Sequence, residues 1–358
     1  MTPRPDATEL DLRALRTAVE RTLARFLEDK ARGPLGPHIA KLIPVLHHFL
    51  DGGGKRVRPL YCCLGWHTLD DAPPTDDVLR AAAGIELFHT FALIQDDVMD
   101  RADTRHGRPT AHRLLAAQGP RSRAPWFGES VAILLGDLCE AWSAELLGGL
   151  GHPIARRPVD LMRSETIVGQ YLDLCASGRD PGSVNSAFTV IHYKTTKYTV
   201  ERPLQIGAAL AGAEPALMDT YAAYAQPLGE AFQVYNDLED VLPDSTKPDT
   251  GGSDLREGKH TVVLALALRS ANVAQAELLD HLVGDPHLDA IELAQVRALI
   301  AATGAVDQAK RLVLERRRQA LRVLEAAPFR PAAKRALDRL TAIAMPRAAR
   351  WEAELDLG

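Results

Sequence analysis

The chain has 358 residues, 46% of them hydrophobic and 25% charged, with a formal net charge of -5. That length and composition allow a sizeable buried core, in one large domain or two ordinary ones, and exclude a disordered or fibrous chain. With Lys+Arg at 42 against Asp+Glu at 47, a strongly cationic nucleic-acid binder is excluded as a description of the whole chain.

The N-terminus, Met1-Thr2-Pro3-Arg4-Pro5-Asp6, lacks the basic-then-apolar build of a secretory signal. No apolar run approaches the ~20 residues that cross a bilayer; the best, Val131 to Leu135, is stopped by Gly136-Asp137. A cytoplasmic protein without a membrane span is expected. From Leu10 to Ala31 apolar residues recur at three- and four-residue spacing (Leu12, Leu15, Val19, Leu23, Phe26, Leu27), which predicts an amphipathic helix. The same periodicity predicts helices over roughly 36–50, 56–69, 76–99, 128–149, 156–176, 184–211 and 215–243, then 258–270, 287–303, 305–326 and 331–346. Sustained β-branched alternation is missing, so no sheet is expected. The breaks are short and rich in Gly and Pro, as at Gly33 to Pro37, Asp70 to Pro74, Gly119 to Pro125 and Pro243 to Gly258. The expected architecture is all-α: a single domain over 1–358, a bundle of roughly ten or more helices around a central cavity. Four cysteines (Cys62, Cys63, Cys139, Cys175) form no CxxC pair and are read as reduced core thiols. The basic run Arg316-Arg317-Arg318 is read as a solvated helix face, with Leu312, Val313, Leu321 and Leu324 packed inward.

Two acidic clusters carry the chemistry. Asp96-Asp97-Val98-Met99-Asp100 ends a strongly apolar helix containing Leu87, Phe88, Phe91, Leu93 and Ile94. Asp96 and Asp100 fall one turn apart on one face, with ~6 Å of rise between them. Like charges at that spacing repel, so a cation is expected beside them. The second cluster, Asn236-Asp237-Leu238-Glu239-Asp240, closes another apolar helix and again puts two oxygen-bearing side chains, Asn236 and Asp240, four residues apart. Hard oxygen ligands without His or Cys select Mg²⁺, which keeps waters and is shared with substrate phosphates. Facing pairs across an apolar cavity would clamp a diphosphate through magnesium ions.

Cations for such a diphosphate stand at separate places. Gly52-Gly53-Gly54-Lys55-Arg56-Val57-Arg58-Pro59 opens a helix after a turn and offers Lys55 and Arg58, without the P-loop spacing. Arg105-His106-Gly107-Arg108 follows the first acidic cluster. Lys194-Thr195-Thr196-Lys197 and Asp254-Leu255-Arg256-Glu257-Gly258-Lys259 flank the second.

The ordered set GGGKRVRP, DDVMD with RHG behind it, GQYLDL, KT, FQVYNDLED and DLREGK resembles the trans-isoprenyl diphosphate synthases of the polyprenyl synthetase family, over roughly residues 40 to 270. The resemblance implies a prenyltransferase that condenses isopentenyl diphosphate with an allylic diphosphate by ionisation, condensation and elimination. It implies that Asp96 and Asp100 hold two Mg²⁺ and the second cluster, Asn236 and Asp240, a third, with Asp97 and Asp237 also catalytic. Arg105, Lys194, Gln233 and Lys259 would neutralise the allylic diphosphate, with Thr195, Gln170 and Asp173 nearby. Lys55, Arg58 and His89, together with His106, match positions that bind isopentenyl diphosphate. The protein's share would be charge stabilisation and exclusion of water. A homodimer is implied as well.

Three departures stand out. Asn236 occupies a position where the family usually has Asp, and a neutral oxygen should lower metal affinity. His106 replaces the second arginine of the family's Arg-Arg-Gly and lacks its bidentate fork. The lysine usually found shortly before the DLREGK-like segment is absent in register, Lys247 being the nearest. Asn236, Asp240 and Asp244, at i, i+4 and i+8, are similar to the magnesium triad of class I terpene cyclases, which ionise such substrates without isopentenyl diphosphate. A cyclase is therefore the rival reading, although it has little use for Lys55, Arg58 and His89. A non-catalytic partner subunit is a third reading, and the intact Asp96, Asp97 and Asp100 argue against it. Phe91 and Phe88 lie ~7.5 Å and ~12 Å below Asp96 along the helix, with the small Ala92 one turn down. That pattern resembles the family's C20-forming members, with C15 as the alternative if Phe91 forms the floor.

Overall fold

The computed structural model describes residues 9–50, 54–105, 107–150, 152–176, 183–242 and 251–356. Gly52, Gly53, His106, Asp244 and Lys247 lie outside that set. The described residues are overwhelmingly α-helical, as the apolar periodicity predicts. They form two compact units, neither a continuous stretch. The first takes the chain up to Asp160, then Arg202–Pro215 and Phe329–Leu340; the second takes Leu161–Glu201, Ala216–Pro328 and the chain from Thr341. Among the described residues no helix is long and apolar enough to cross a membrane.

In the first unit, helix Asp76–Met99 carries the first acidic cluster. Thr75 caps it, its hydroxyl accepting from Val78 N–H, and Asp76 and Asp77 complement the positive helix start. Ala81 to Phe88 are buried all round, so this is a core helix rather than an amphipathic one. Gly84 brings it against helix Ala124–Gly148: a Cβ there would stand 2.9 Å from Leu147 Cγ. At the same contact Ser143 Oγ donates to the Gly84 carbonyl at 2.7 Å. Leu87 and Ile94 join Leu23, Leu27, Leu46, Leu115, Leu135 and Trp142 in one core. Each such burial stabilises by roughly 1.5–3 kcal/mol.

Helix Val57–His67 is held still more closely. A Cβ on Gly207 of helix Arg202–Leu210 would fall 1.8 Å from the Cys62 carbonyl oxygen. One on Gly65 would fall 2.2 Å from the Leu204 carbonyl oxygen. The reciprocal glycines let the two backbones touch, which gives Arg58 a stiff support.

The stretch 184–211, predicted as one regular helix and shared between the two units, departs from expectation. Val184–Ile191 and Arg202–Leu210 are α-helical, but His192–Glu201 between them takes the wider π winding. Helix Ala305–Ala326 matches its expected bounds, with Val313 and Leu324 buried and Leu312 and Leu321 half-buried. Its basic run is not simply solvated: Arg316 Nε lies 2.7 Å from the largely buried Glu230, and Arg318 pairs with Glu352 at 2.7 Å. Helices Ala111–Ala116, Val273–Leu282 and Ala348–Asp356 were not expected. Neither was the two-residue hairpin Thr104–Arg105 with Arg108–Pro109, whose turn uses Gly107 at φ 75°. Cys62, Cys63 and Cys139 are buried thiols, and Cys175 is only half-buried.

Candidate active site

In the first unit the expected cation is supplied from within the chain. Arg105, on the hairpin that follows the acidic helix, donates from Nη2 to Asp96 Oδ2 and from Nε to Asp97 Oδ1, both at 2.8 Å. Asp97 is the buried member of the cluster, its side chain 1% exposed, and its Oδ2 has no hydrogen-bond partner among the described residues. Burial lifts its carboxyl to about 6 despite the adjacent Arg105 guanidinium, with Asp96 and Asp100 adding to the rise. Asp100 ends the helix, its N–H bonded to the Asp96 carbonyl at 2.9 Å, so the two outer carboxylates do stand one turn apart. Arg58 Nη1 lies 3.1 Å from His89 Nε2, which joins two of the four residues matched to isopentenyl diphosphate. Lys55 precedes them in the turn before helix Val57–His67. Phe88 is fully buried and Phe91 half-buried, with ring centroids 5.4 Å apart, and Ala92 is half-buried beside them.

In the second unit the π-wound segment presents Lys194 and Thr195. Lys194 Nζ donates to Asp173 Oδ2 at 2.6 Å, and Thr195 Oγ1 donates to Gln233 Oε1 at 2.8 Å. Gln233 Nε2 donates in turn to Asp237 Oδ1 at 2.8 Å. Two glycines make this possible. A Cβ on Gly169 would lie 2.4 Å from Lys194 N, and one on Gly229 would lie 2.4 Å from Thr196 Oγ1 and 2.6 Å from its Cα. One turn beyond each glycine, on the same helix, stands the anchor: Asp173 after Gly169 and Gln233 after Gly229. The flanking helices thus grip the backbone of the segment and aim its two polar side chains.

These residues line a cavity of about 100 Å³ with Asp237, Asp254, Lys259, His260 and Thr261. Gln170 and Asn236 are half-buried and outside its lining. Asp240 is committed elsewhere: its carboxylate accepts from Ser253 N–H and Oγ and from Asp254 N–H at 3.0–3.1 Å, closing the chain onto helix Ser253–Glu257. Lys259 Nζ lies 2.6 Å from Glu257 and 3.6 Å from Asp254. Burial pushes Asp237 well above the usual carboxylate range, and Asp254, Asp240 and Asp173 push it further. Asp254 is raised by burial too, against the pull of Lys259.

In both units the side chains brought together offer hard carboxylate oxygens, although among the described residues no group of three or more His, Cys, Asp or Glu is placed to hold a metal ion. That set fits Mg²⁺: a carboxylate pair leaves most of its six positions to water and phosphate oxygens. Reading the motifs missed Asp254, although it stands five residues before Lys259, and it missed the two glycines.

A family model described as polyprenyl synthetase matches residues 40–300. The chain belongs to that family. Among its members, the all-trans-nonaprenyl-diphosphate synthase (geranyl-diphosphate specific) of Rhodobacter capsulatus is 30% identical over 310 residues, 86% of this chain and 90% of its own. A short chain isoprenyl diphosphate synthase of Methanothermobacter thermautotrophicus is 30% identical over 301 residues, 81% of this chain and 87% of its own. The crystal structure of geranylgeranyl pyrophosphate synthase from Corynebacterium glutamicum, complexed with isoprenyl diphosphate and magnesium, matches with a TM-score of 0.87 at 32% identity, covering 94% of this chain and 100% of that one. The family's all-α fold is therefore the fold of this chain.

Proposed function

We propose that the protein is a Mg²⁺-dependent trans-prenyltransferase that condenses isopentenyl diphosphate with an allylic diphosphate to give an all-trans prenyl diphosphate, C20 in preference to C15. One observation carries the reading. Arg105 docks on Asp96 and Asp97 at the end of a helix whose preceding turns bear Phe91 and Phe88, so a polar head site and an apolar run share one element. An amphiphilic diphosphate has that same division. Bound Mg²⁺ would neutralise the leaving diphosphate. Asp96 and Asp100 in the first unit would hold it, and Asn236 and Asp240, on either side of Asp237, would do so in the second. Arg105, Lys194 and Lys259 would bind diphosphate oxygens, with Thr195, Gln233, Gln170 and Asp173 orienting them. Lys55, Arg58 and His89 would bind isopentenyl diphosphate. Burial of Asp97 and Asp237 keeps water away from the charged groups, which strengthens their interactions. We extend the proposal to three Mg²⁺ per active site and a homodimer, as the family resemblance implies, and to the cytoplasmic location expected from the sequence.

Against the cyclase reading stand Arg58 and His89, joined at 3.1 Å, and Lys55 before them, for which a cyclase has little use. The deciding assay gives purified protein Mg²⁺ and dimethylallyl, geranyl, farnesyl or geranylgeranyl diphosphate, each with and without isopentenyl diphosphate. Longer prenyl diphosphates that form only with isopentenyl diphosphate, ending at C20, are expected. Hydrocarbons or terpene alcohols formed without it would overturn the proposal in favour of a cyclase.

A further inference from the structure

Glu86 lies in the most apolar stretch of helix Asp76–Met99, between Ile85 and Leu87, with its side chain 5% exposed. A carboxylate there requires a partner. The partner is Arg56, whose Nη1 donates to Glu86 Oε1, whose Nη2 donates to the Leu50 carbonyl, and whose Nε lies 3.6 Å from Glu20. Arg56 itself sits at φ 51°, ψ 35°, the left-handed region that non-glycine residues rarely adopt, at the N-cap of helix Val57–His67. That reversal separates Lys55 from Arg58. Three residues beyond Glu86, on the same helix face, His89 meets Arg58. One helix face therefore grips both arginines around the turn.

We propose that Glu86 is a positioning residue for isopentenyl diphosphate: by anchoring the Arg56 side chain it holds the left-handed turn that points Lys55 and Arg58 at one diphosphate. The inference rests on the reading of Lys55, Arg58 and His89 given above. Glu86 itself touches no substrate. Without its charge the guanidinium loses its buried counter-ion, the left-handed residue relaxes, and Lys55 leaves its place beside Arg58.

Steady-state kinetics and calorimetric binding of isopentenyl diphosphate test this on Glu86→Gln, Arg56→Gly and the double variant. Glu86→Gln keeps the side chain's shape and should raise KM for isopentenyl diphosphate at least tenfold, with kcat and KM for the allylic diphosphate within twofold of wild type. Arg56→Gly permits the left-handed backbone but lacks the anchor, and should show the same defect. The double variant should be no worse than Arg56→Gly, because Glu86 acts through Arg56. If Glu86→Gln fails to fold, Arg56→Gly still reads the isopentenyl diphosphate defect. A lowered melting temperature with unchanged KM and Kd for isopentenyl diphosphate would overturn the positioning role, as would additive defects in the double variant. A wild-type protein that neither turns over nor binds isopentenyl diphosphate would overturn the functional reading itself, and this inference with it.

Discussion

Replacing Gly229 by alanine asks whether the position of the π-wound segment sets the rate of prenyl transfer. A Cβ at 229 would stand 2.4 Å from Thr196 Oγ1, 2.6 Å from its Cα and 2.7 Å from its Cβ. Ordinary contact at about 3.4 Å requires a retreat of roughly 0.8 Å by backbone atoms rather than a side-chain tip. Thr196 is fully buried, so there is no open space to retreat into. Overpacking of this kind costs about 1–3 kcal/mol. The better helix propensity of alanine offsets about 1 kcal/mol of it. The net loss, about 0–2 kcal/mol, lowers the melting temperature by a few degrees at most in a chain this long. Catalysis should suffer more, since Lys194 and Thr195 ride on the displaced turn and a ~1 Å misplacement costs about 10²-fold. Initial rates of isopentenyl diphosphate incorporation, measured beside a thermal melt, should show kcat down by about 10²-fold with the protein still folded. Gly148→Ala is the control: a Cβ there meets nothing within 4 Å, so the wild-type rate and a gain of about 0.4–1 kcal/mol are expected. A Gly229→Ala enzyme with wild-type kcat would refute the reasoning, because the segment would have yielded without moving Lys194.

Asp96→Ala and Asp100→Ala should each lower kcat by about 10²–10³-fold or more. They should also abolish the melting-temperature rise produced by Mg²⁺ with pyrophosphate, and near wild-type turnover in either would sink the metal-pair argument. Phe91→Ala should lengthen the product by at least one C5 unit by chromatography; an unchanged product would make Phe91 ordinary core. Burial pushes His67 below its usual 6.5, while its Nδ1–H donates to the Asp70 carbonyl at 3.1 Å. Between that lowered value and 6.5 the unfolded chain binds a proton that the folded chain does not, so stability falls on acidification through that window. His67→Asn can still donate to that carbonyl and should remove this part of the slope in denaturant titrations; an unaltered slope would count against the burial argument.

Helix Asp76–Met99 was legible to its ends because Thr75, Asp76 and Asp77 mark the start and the acid run marks the finish. The change of winding at His192–Glu201 was not, since ten residues are too few for the apolar spacing to tell a π turn from an α turn. Helix Val273–Leu282 escaped, although the Asn272–Gln275 capping box was there to be read. In the site, the carboxylate pairs were plain from four-residue spacing. Asp97 was not legible as the buried anchor of Arg105, because its partner lies across a turn. Nor was the commitment of Asp240 to Ser253, thirteen residues on. Local spacing reports which groups share a face and is silent on which distant groups claim them. Glu86 did carry a signal, a single acid inside an apolar run that only a buried partner can explain.

The interleaving of the two units has a consequence for how the protein is made. The first unit lacks its last piece until Phe329–Leu340 has been synthesised, and at ~5–20 residues per second that segment follows Asp160 by roughly 10–30 s. When it arrives, Arg330 N–H bonds to the Thr68 carbonyl at 3.1 Å, Arg330 pairs with Asp71, and Arg339 Nη2 donates to the Leu10 carbonyl at 2.6 Å. Until then the nascent first unit holds an open apolar face where Ala333, Ala336 and Leu337 will pack. Folding of the first unit is therefore completed late in synthesis, by contacts more than 250 residues apart in sequence.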